Sequence, residues 1–321
     1  VSLIYPQLPS LEILTDYQPK IPLRIYTADN ALIGEFGEER RALIKIKDVP
    51  SAMRQAILAA EDDRFYQHGG VDYVGVARAA IANLTAGGAR EGASTITMQV
   101  ARNFFLSSEK TLTRKLSEVM LAMKIERNLS KDQILELYIN QIYLGQRAYG
   151  FAAASQLYFG KPLSQLSIAE SAMLAGLPKA PSRYNPVVNP KRAKIRQQYV
   201  LKRMHHLRFI TDSEFQAALK QSLHIRHDLQ LAEVRADHIA ELVRQNLYER
   251  YHDQIYSSGI KVYTTLLRAD QEAATHALRQ GVMDYDRRHG YRGPEGFADL
   301  NKNGATSDEA TENALEDLDE V

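Results

Sequence analysis

Ser51-Ala52-Met53-Arg54-Gln55-Ala56-Ile57-Leu58-Ala59-Ala60-Glu61-Asp62-Asp63-Arg64-Phe65-Tyr66-Gln67-His68-Gly69-Gly70 is the stretch on which the reading turns. After Pro50, residues Met53, Ala56, Ile57 and Ala60 recur at helical spacing, with Asp48 or Ser51 as N-cap and Pro50 tolerated in the first turn. This predicts a short amphipathic helix. Glu61 lies four residues after Ile57, so it continues the apolar stripe, and burial there disfavours its ionised form. A raised pKa suits a general base or acid working near neutrality. Taken alone, Glu61 with Asp62 and Asp63 beside it would equally describe a solvated helix end.

A second acid changes the balance. Thr111 to Glu126 reads as a helix entered through Ser107 or Ser108, with Leu112, Leu116, Val119 and Met123 as its buried stripe. Arg114 and Glu118 are (i, i+4) neighbours, and Lys115 is expected to point to one side of them. As an exposed ion pair this would be worth only about 0.3–0.5 kcal/mol and carry no function. Paired with Glu61, it suggests sugar transfer from a phosphate, where one acid takes a proton and fixed cations meet the charge of the leaving group.

Five stretches in order carry a resemblance: Glu61-Asp62 with Phe65, His68 and Gly70; Gly92 to Gln99; Arg114-Lys115 with Glu118; Lys131, Ile134-Leu135 and Tyr138-Ile139-Asn140; and Arg196 with Val200-Leu201. Together they resemble the motifs of the peptidoglycan glycosyltransferases (family 51 type) of class A, bifunctional penicillin-binding proteins. Met98 stands where that family more often has Gln, and Ile139 where it more often has Leu. The resemblance implies a mainly α, lysozyme-like glycosyltransferase domain. It implies a hexosyltransferase that polymerises lipid II, moving the growing chain from its lipid pyrophosphate to the sugar hydroxyl of an incoming lipid II.

Under that resemblance Glu61 is the base. Glu118 is the second catalytic carboxylate, which would orient Arg114, hold a Mg or Mn ion at the pyrophosphate, or assist the leaving group. Arg114 and Lys115 suit the pyrophosphate, with Lys131, Arg102 and Arg90 as further candidates. Gln99 and Asn140 are expected to bind sugar or phosphate, Ser94 and Thr95 to line the site, and His68 to shape the turn after Glu61. The implied partners are lipid II, the growing glycan, the membrane surface and phosphoglycolipid inhibitors. The implied location is the inner membrane, single-pass, with the catalytic domain on the periplasmic side. Two other classes stay open: a lysozyme-like wall hydrolase, which needs a second acid or a water rather than a pyrophosphate cradle, and a silent module that only binds lipid or protein.

Composition agrees with this frame. A chain of 321 residues with 45% hydrophobic content can bury a sizeable core, and a net charge of +1 argues against a dedicated nucleic-acid binder. Residues 190–208 are basic and 308–320 acidic, the latter reading as a loose tail. Without cysteine there is no disulfide, thiol nucleophile or thiolate metal site. No run approaches the roughly 20 apolar residues that cross a bilayer, so the membrane helix that the resemblance implies is expected to have been removed or to lie upstream of Val1. Glycine spacing excludes phosphate and dinucleotide loops, and His205-His206, His224 and His227 lack zinc-site spacing.

The expected organisation is an extended, hairpin-bearing segment over 1–49, the glycosyltransferase domain over 50–223, and the start of an α+β linker over 224–321. Leu23 to Tyr26 and Ala31 to Phe36 read as the hairpin. Ser130 to Gln133, Ser167 to Glu170 and Thr211 to Glu214 read as capping boxes, and Asn189-Pro190 opens a basic helix. Ala236 to Tyr251 reads as a further helix and Gly259 to Thr265 as a strand. The penicillin-sensitive transpeptidase that completes such proteins is expected outside this chain, since Ser107-Ser108-Glu109-Lys110 matches one of its motifs without partners. Thr85 to Gly92 is expected to open and close, and Phe104 to Leu106 or Tyr149 to Phe151 to dip into the membrane interface.

Overall fold

The structure, a computed structural model, describes residues 9–15, 19–78, 94–106, 112–226 and 232–290. The loop expected at 85–92, the helix entry at Ser107 or Ser108, Arg90 and the acidic tail lie outside the described residues.

Most of the described chain is helical. Helix α1 (Ser51–Glu61) is followed by α2 (Ile96–Phe105), α3 (Leu112–Asn128), α4 (Lys131–Gln141), α5 (Phe151–Phe159), α6 (Ile168–Gly176), α7 (Pro190–His206) and α8 (Asp212–Lys220). Helices α6 and α7 pack on each other and both on α1, while α2 packs on α3 and α4. One apolar cluster runs through all of these elements, from Met53 and Ile57 through Ile96, Leu121 and Tyr138 to Leu174 and Val200. The three boxes at Ser130, Ser167 and Thr211 form, each hydroxyl accepting the N–H three residues on. Helix α1 has no side-chain cap, because Ser51 is already its first residue, and Ala59 rather than Ala60 is the fully buried alanine of its last turn.

Helix α3 departs from its expected face. Leu116 is 42% exposed, whereas Glu118, Leu121, Ala122 and Ile125 are buried. Those four fall at i, i+3, i+4 and i+7, a single stripe with a carboxylate in it. A charge is not what apolar periodicity looks for, so the stripe reads from the sequence on the wrong side.

A second, smaller core brings an early segment, Leu23 to Phe36, together with a late one, Val234 to Leu266. Strand β1 (Leu23–Tyr26) pairs antiparallel with β2 (Leu32–Phe36) and parallel with β5 (Lys261–Tyr263), in register Ile25 to Val262. Alternation turns Leu23 and Ile25 toward Val234, Ala236, Ala240 and Ile255, the last two from α9 (Asp237–Tyr251) and the short turn after it. Thus 1–49 and 224–321 contribute strands to one sheet. Short strands β3 (Arg40–Arg41) and β4 (Ala148–Tyr149) pair in parallel, and buried Arg41 donates to Gln141 Oε1 at 2.8 Å and to the carbonyl of Asn140 at 3.2 Å. That ties the hairpin's exit to the end of α4. A second unit opens at Ala269, and its described residues, 269–290, continue helix α10 (Arg268–His289), which has no buried residue.

Candidate active site

Glu61 ends α1, where the last carbonyls lack helical partners and the macrodipole is negative. Gln99, one turn into α2, donates its Nε2–H to Glu61 Oε2 at 2.8 Å. The other oxygen, Oε1, is buried without a hydrogen-bond partner. Burial pushes the Glu61 pKa up, against the Gln99 bond and the charges of Arg196, Lys179 and Arg102, which pull it down. Tyr138 lies beside it, its phenol held well above the usual range first by burial and then by the Glu61 charge.

The segment from Asp62 to Gly70 is bolted to the start of α2. Asp62 is 7% exposed and no solvated neighbour: both its oxygens lie 3.0 Å from His68 Nε2, and Oδ2 accepts the Ile96 N–H at 3.0 Å. Thr95 caps α2 by accepting the Met98 N–H and donates its hydroxyl to the carbonyl of Gly70 at 2.7 Å. Met98 completes that box through its thioether, which takes the Thr95 N–H at 3.4 Å. Gly70, at φ +90°, lies so close to α3 that a Cβ would sit 2.9 Å from the Ala122 carbonyl. No other residue fits there without moving the helix.

Glu118 is 1% exposed, so its charge needs partners. Arg114 Nη1 is 3.1 Å from Oε1, and Lys115 Nζ donates to Oε2 at 2.7 Å. Lys115 also donates to Ser94 Oγ at 2.8 Å, so it joins the pair instead of pointing past it. The approach and first turn of α2 therefore serve both carboxylates: Ser94 touches the Glu118 cluster and Gln99 holds Glu61.

Four expected site residues are otherwise engaged. Asn140 spends both N–H bonds on the carbonyls of Ile44 and Glu136 and accepts the Ile44 N–H, which clamps the segment before α1. Lys131 donates to Glu126 Oε1 at 2.7 Å and lies 4.4 Å above the Phe65 ring. Glu126 also accepts the Thr97 hydroxyl at 2.5 Å. Thr95 and His68 act on the loop as described, His68 with a buried Nδ1 that has no partner. The charge of Arg102 pulls the Glu61 pKa down. Of the apolar candidates, Phe104 to Leu106 are half-buried against the core and Phe151 is fully buried within it.

A profile of the transglycosylase family matches residues 29–205, a span that holds every residue of this site. The chain belongs to the transglycosylase family. It is 57% identical to penicillin-binding protein 1A of Neisseria cinerea over 298 residues, covering 93% of this chain and 37% of that protein. It is 51% identical to penicillin-binding protein 1A of Pseudomonas aeruginosa over 290 residues, covering 90% of this chain and 35% of that protein. The crystal structure of penicillin-binding protein 1A from Haemophilus influenzae is 35% identical, with a TM-score of 0.48, over 89% of this chain and 32% of that one. The chain thus spans about a third of the length of these proteins.

Membership leaves two features of this transglycosylase site that sequence reasoning passed over. Arg196 is fixed between its bond to the Gly176 carbonyl at 3.3 Å and the Tyr199 ring 4.6 Å below, and its charge pulls the Glu61 pKa down. It stands in the fifth motif, but nothing local in a basic helix marks which cation turns inward. Lys179, in the turn after α6, carries no motif at all. Both oxygens of Glu118 face cations, and no group of three or more His, Asp or Glu among the described residues could hold a metal. These residues do not fit a protein-held ion.

Proposed function

We propose that this chain polymerises lipid-linked disaccharide, transferring the growing glycan from its lipid pyrophosphate to the hydroxyl of an incoming unit. The observation that carries this is the division of labour between two buried carboxylates. Glu61 is held by one oxygen and offers the other, with its pKa raised by burial, whereas Glu118 is tied to two cations. As the acceptor oxygen bonds to the anomeric carbon, its proton passes to Glu61 Oε1. The bond from that carbon to the pyrophosphate breaks, and the electron pair leaves with the phosphate oxygen. Arg114 and Lys115 meet that charge, and Glu118 orients them. Ser94 fixes Lys115, and Gln99 fixes Glu61.

In the longer protein to which such a chain would belong, a penicillin-sensitive transpeptidase follows and a membrane anchor holds the site at the periplasmic face of the inner membrane. The relatives are named for penicillin binding and this chain covers 37% and 35% of their length, which supports the further domain. Among the described residues no helix is long and apolar enough to cross a membrane.

Incubation with lipid-linked disaccharide is the test. Polymer is expected from the parent and a loss of at least about two orders of magnitude from Glu61→Gln, since the amide keeps the shape but takes no proton. Cleaved disaccharide without polymer would assign the chain to the hydrolases. Polymerisation by Glu61→Gln within a few-fold of the parent would place the base elsewhere.

A further inference from the structure

Helix α7 carries Arg196 and Arg203 seven residues apart, close to two full turns, so both project from one face. Arg196 acts on the Glu61 carboxylate through its charge. Arg203 grips the chain on both sides of it. Its Nη2 donates to Asp63 Oδ2 at 2.6 Å, and its Nε–H points to the carbonyl of Ala59 at 3.4 Å. Ala59 and Asp63 stand two residues before and two after Glu61.

The place is one where the backbone needs holding. The Ala59 carbonyl belongs to the last turn of α1, which lacks helical partners and attracts a cation. At Asp62 the chain leaves the helix, with φ −161° and ψ 82°. Asp62 is pinned by His68 and the Ile96 N–H. Asp63 is 10% exposed and Arg203 27%, so their pair is partly sheltered, whereas Arg78, 3.8 Å from the same oxygen, is 54% exposed. A planar guanidinium can reach two acceptors at once, and an ammonium cannot hold the same fork.

We infer that Arg203 is a positioning residue for Glu61, setting the direction of the carboxylate by clamping Ala59 and Asp63 around it. Its guanidinium is engaged by the Ala59 carbonyl and the Asp63 carboxylate. The inference rests on Glu61 being the base, and it follows because a displacement near 1 Å can cost about two orders of magnitude in rate.

The test measures polymerisation by Arg203→Ala, Arg203→Lys, Asp63→Asn and Glu61→Gln, each with its melting temperature, at a temperature where every variant assayed is folded. Arg203→Ala is expected to lower kcat by about tenfold or more with KM within about twofold, because positioning acts on the chemical step. Arg203→Lys should recover part of that loss by keeping the ion pair, and Asp63→Asn should lower kcat as well. A purely structural clamp would lower the melting temperature and leave kcat per folded molecule unchanged. That outcome, or Arg203→Ala within about twofold of the parent while Glu61→Gln is dead, overturns the inference alone. An active Glu61→Gln overturns the assignment of the base and this inference with it. Should Arg203→Ala fail to fold, Arg203→Lys and Asp63→Asn decide by the same criterion.

Discussion

Glu61 stands where burial and the negative end of α1 both oppose its charge, and only one of its oxygens has a hydrogen-bond donor. The consequence for stability has a definite sign. Because the folded pKa is raised, the native state holds the proton to higher pH than the unfolded chain, so stability is lost as pH rises through the window between the two values. Glu61→Gln should therefore melt higher than the parent at neutral pH, and the gap should close in acid below the usual glutamate range, where both states are protonated. A melting-temperature difference that does not change with pH would contradict the burial of this carboxylate. For the same reason the acid limb of kcat/KM should lie above the ordinary glutamate pKa of about 4.3. The helix spacing of Glu61 is legible in the sequence, and so is its place on the apolar stripe. What is not legible is that Asp62 and Asp63 are both engaged, since their partners His68, Ile96 and Arg203 come from a turn and two other helices.

Among the elements, α2 does the joining: its approach and first turn meet Glu118's lysine, the Gly70 carbonyl and the Glu61 carboxylate through Ser94, Thr95 and Gln99. Thr95 is 2% exposed and makes a bond in each direction, accepting from Met98 and donating to Gly70. Thr95→Ala deletes the cap and leaves the Gly70 carbonyl without its donor, so a loss of about 1–3 kcal/mol is expected in chemical denaturation. Thr95→Ser keeps both bonds and should cost less than about 1 kcal/mol, the value of one methyl group. Equal losses in the two variants would mean that packing of the methyl, not the hydroxyl, secures the loop. Capping boxes at Ser130, Ser167 and Thr211 are legible because both partners lie within four residues and have the expected types. The box at Thr95 escapes notice because a methionine sulfur fills the place of a Glu or Gln. The buried stripe of α3 escapes for a related reason. Leu112 and Leu116 suggest one face, and a buried Glu118 is intelligible only once Arg114, Lys115 and Ser94 are seen around it.

At the scale of the molecule, the two cores are separate apolar clusters, one threaded through α1 to α8 and the other between the β1–β2–β5 sheet and α9. The hairpin and the later helix are each readable locally. Their meeting is not, since parallel pairing of β1 with β5 joins distant segments and carries no local signal. Gly34 lies at the seam. A Cβ built there would sit 2.8 Å from the Ala240 Cβ and 3.1 Å from the Phe36 ring. Ala240, the nearer of the two, cannot yield by turning a side chain, because it has no further atoms and is 1% exposed on α9. Gly34→Val should therefore lever α9 away from β2, at about 1–3 kcal/mol for an overpacked site. If the cores open independently, native-state hydrogen exchange in this variant should accelerate for the amides of β1, β2 and α9 while those of Ala56, Leu174 and Val200 keep their protection. The clamp of Arg41 on the end of α4 argues for some transmission, but it lies outside both clusters. Equal acceleration in both sets would show that the small sheet and the catalytic helices unfold as one unit, and the sheet would then bear on the stability of the site itself.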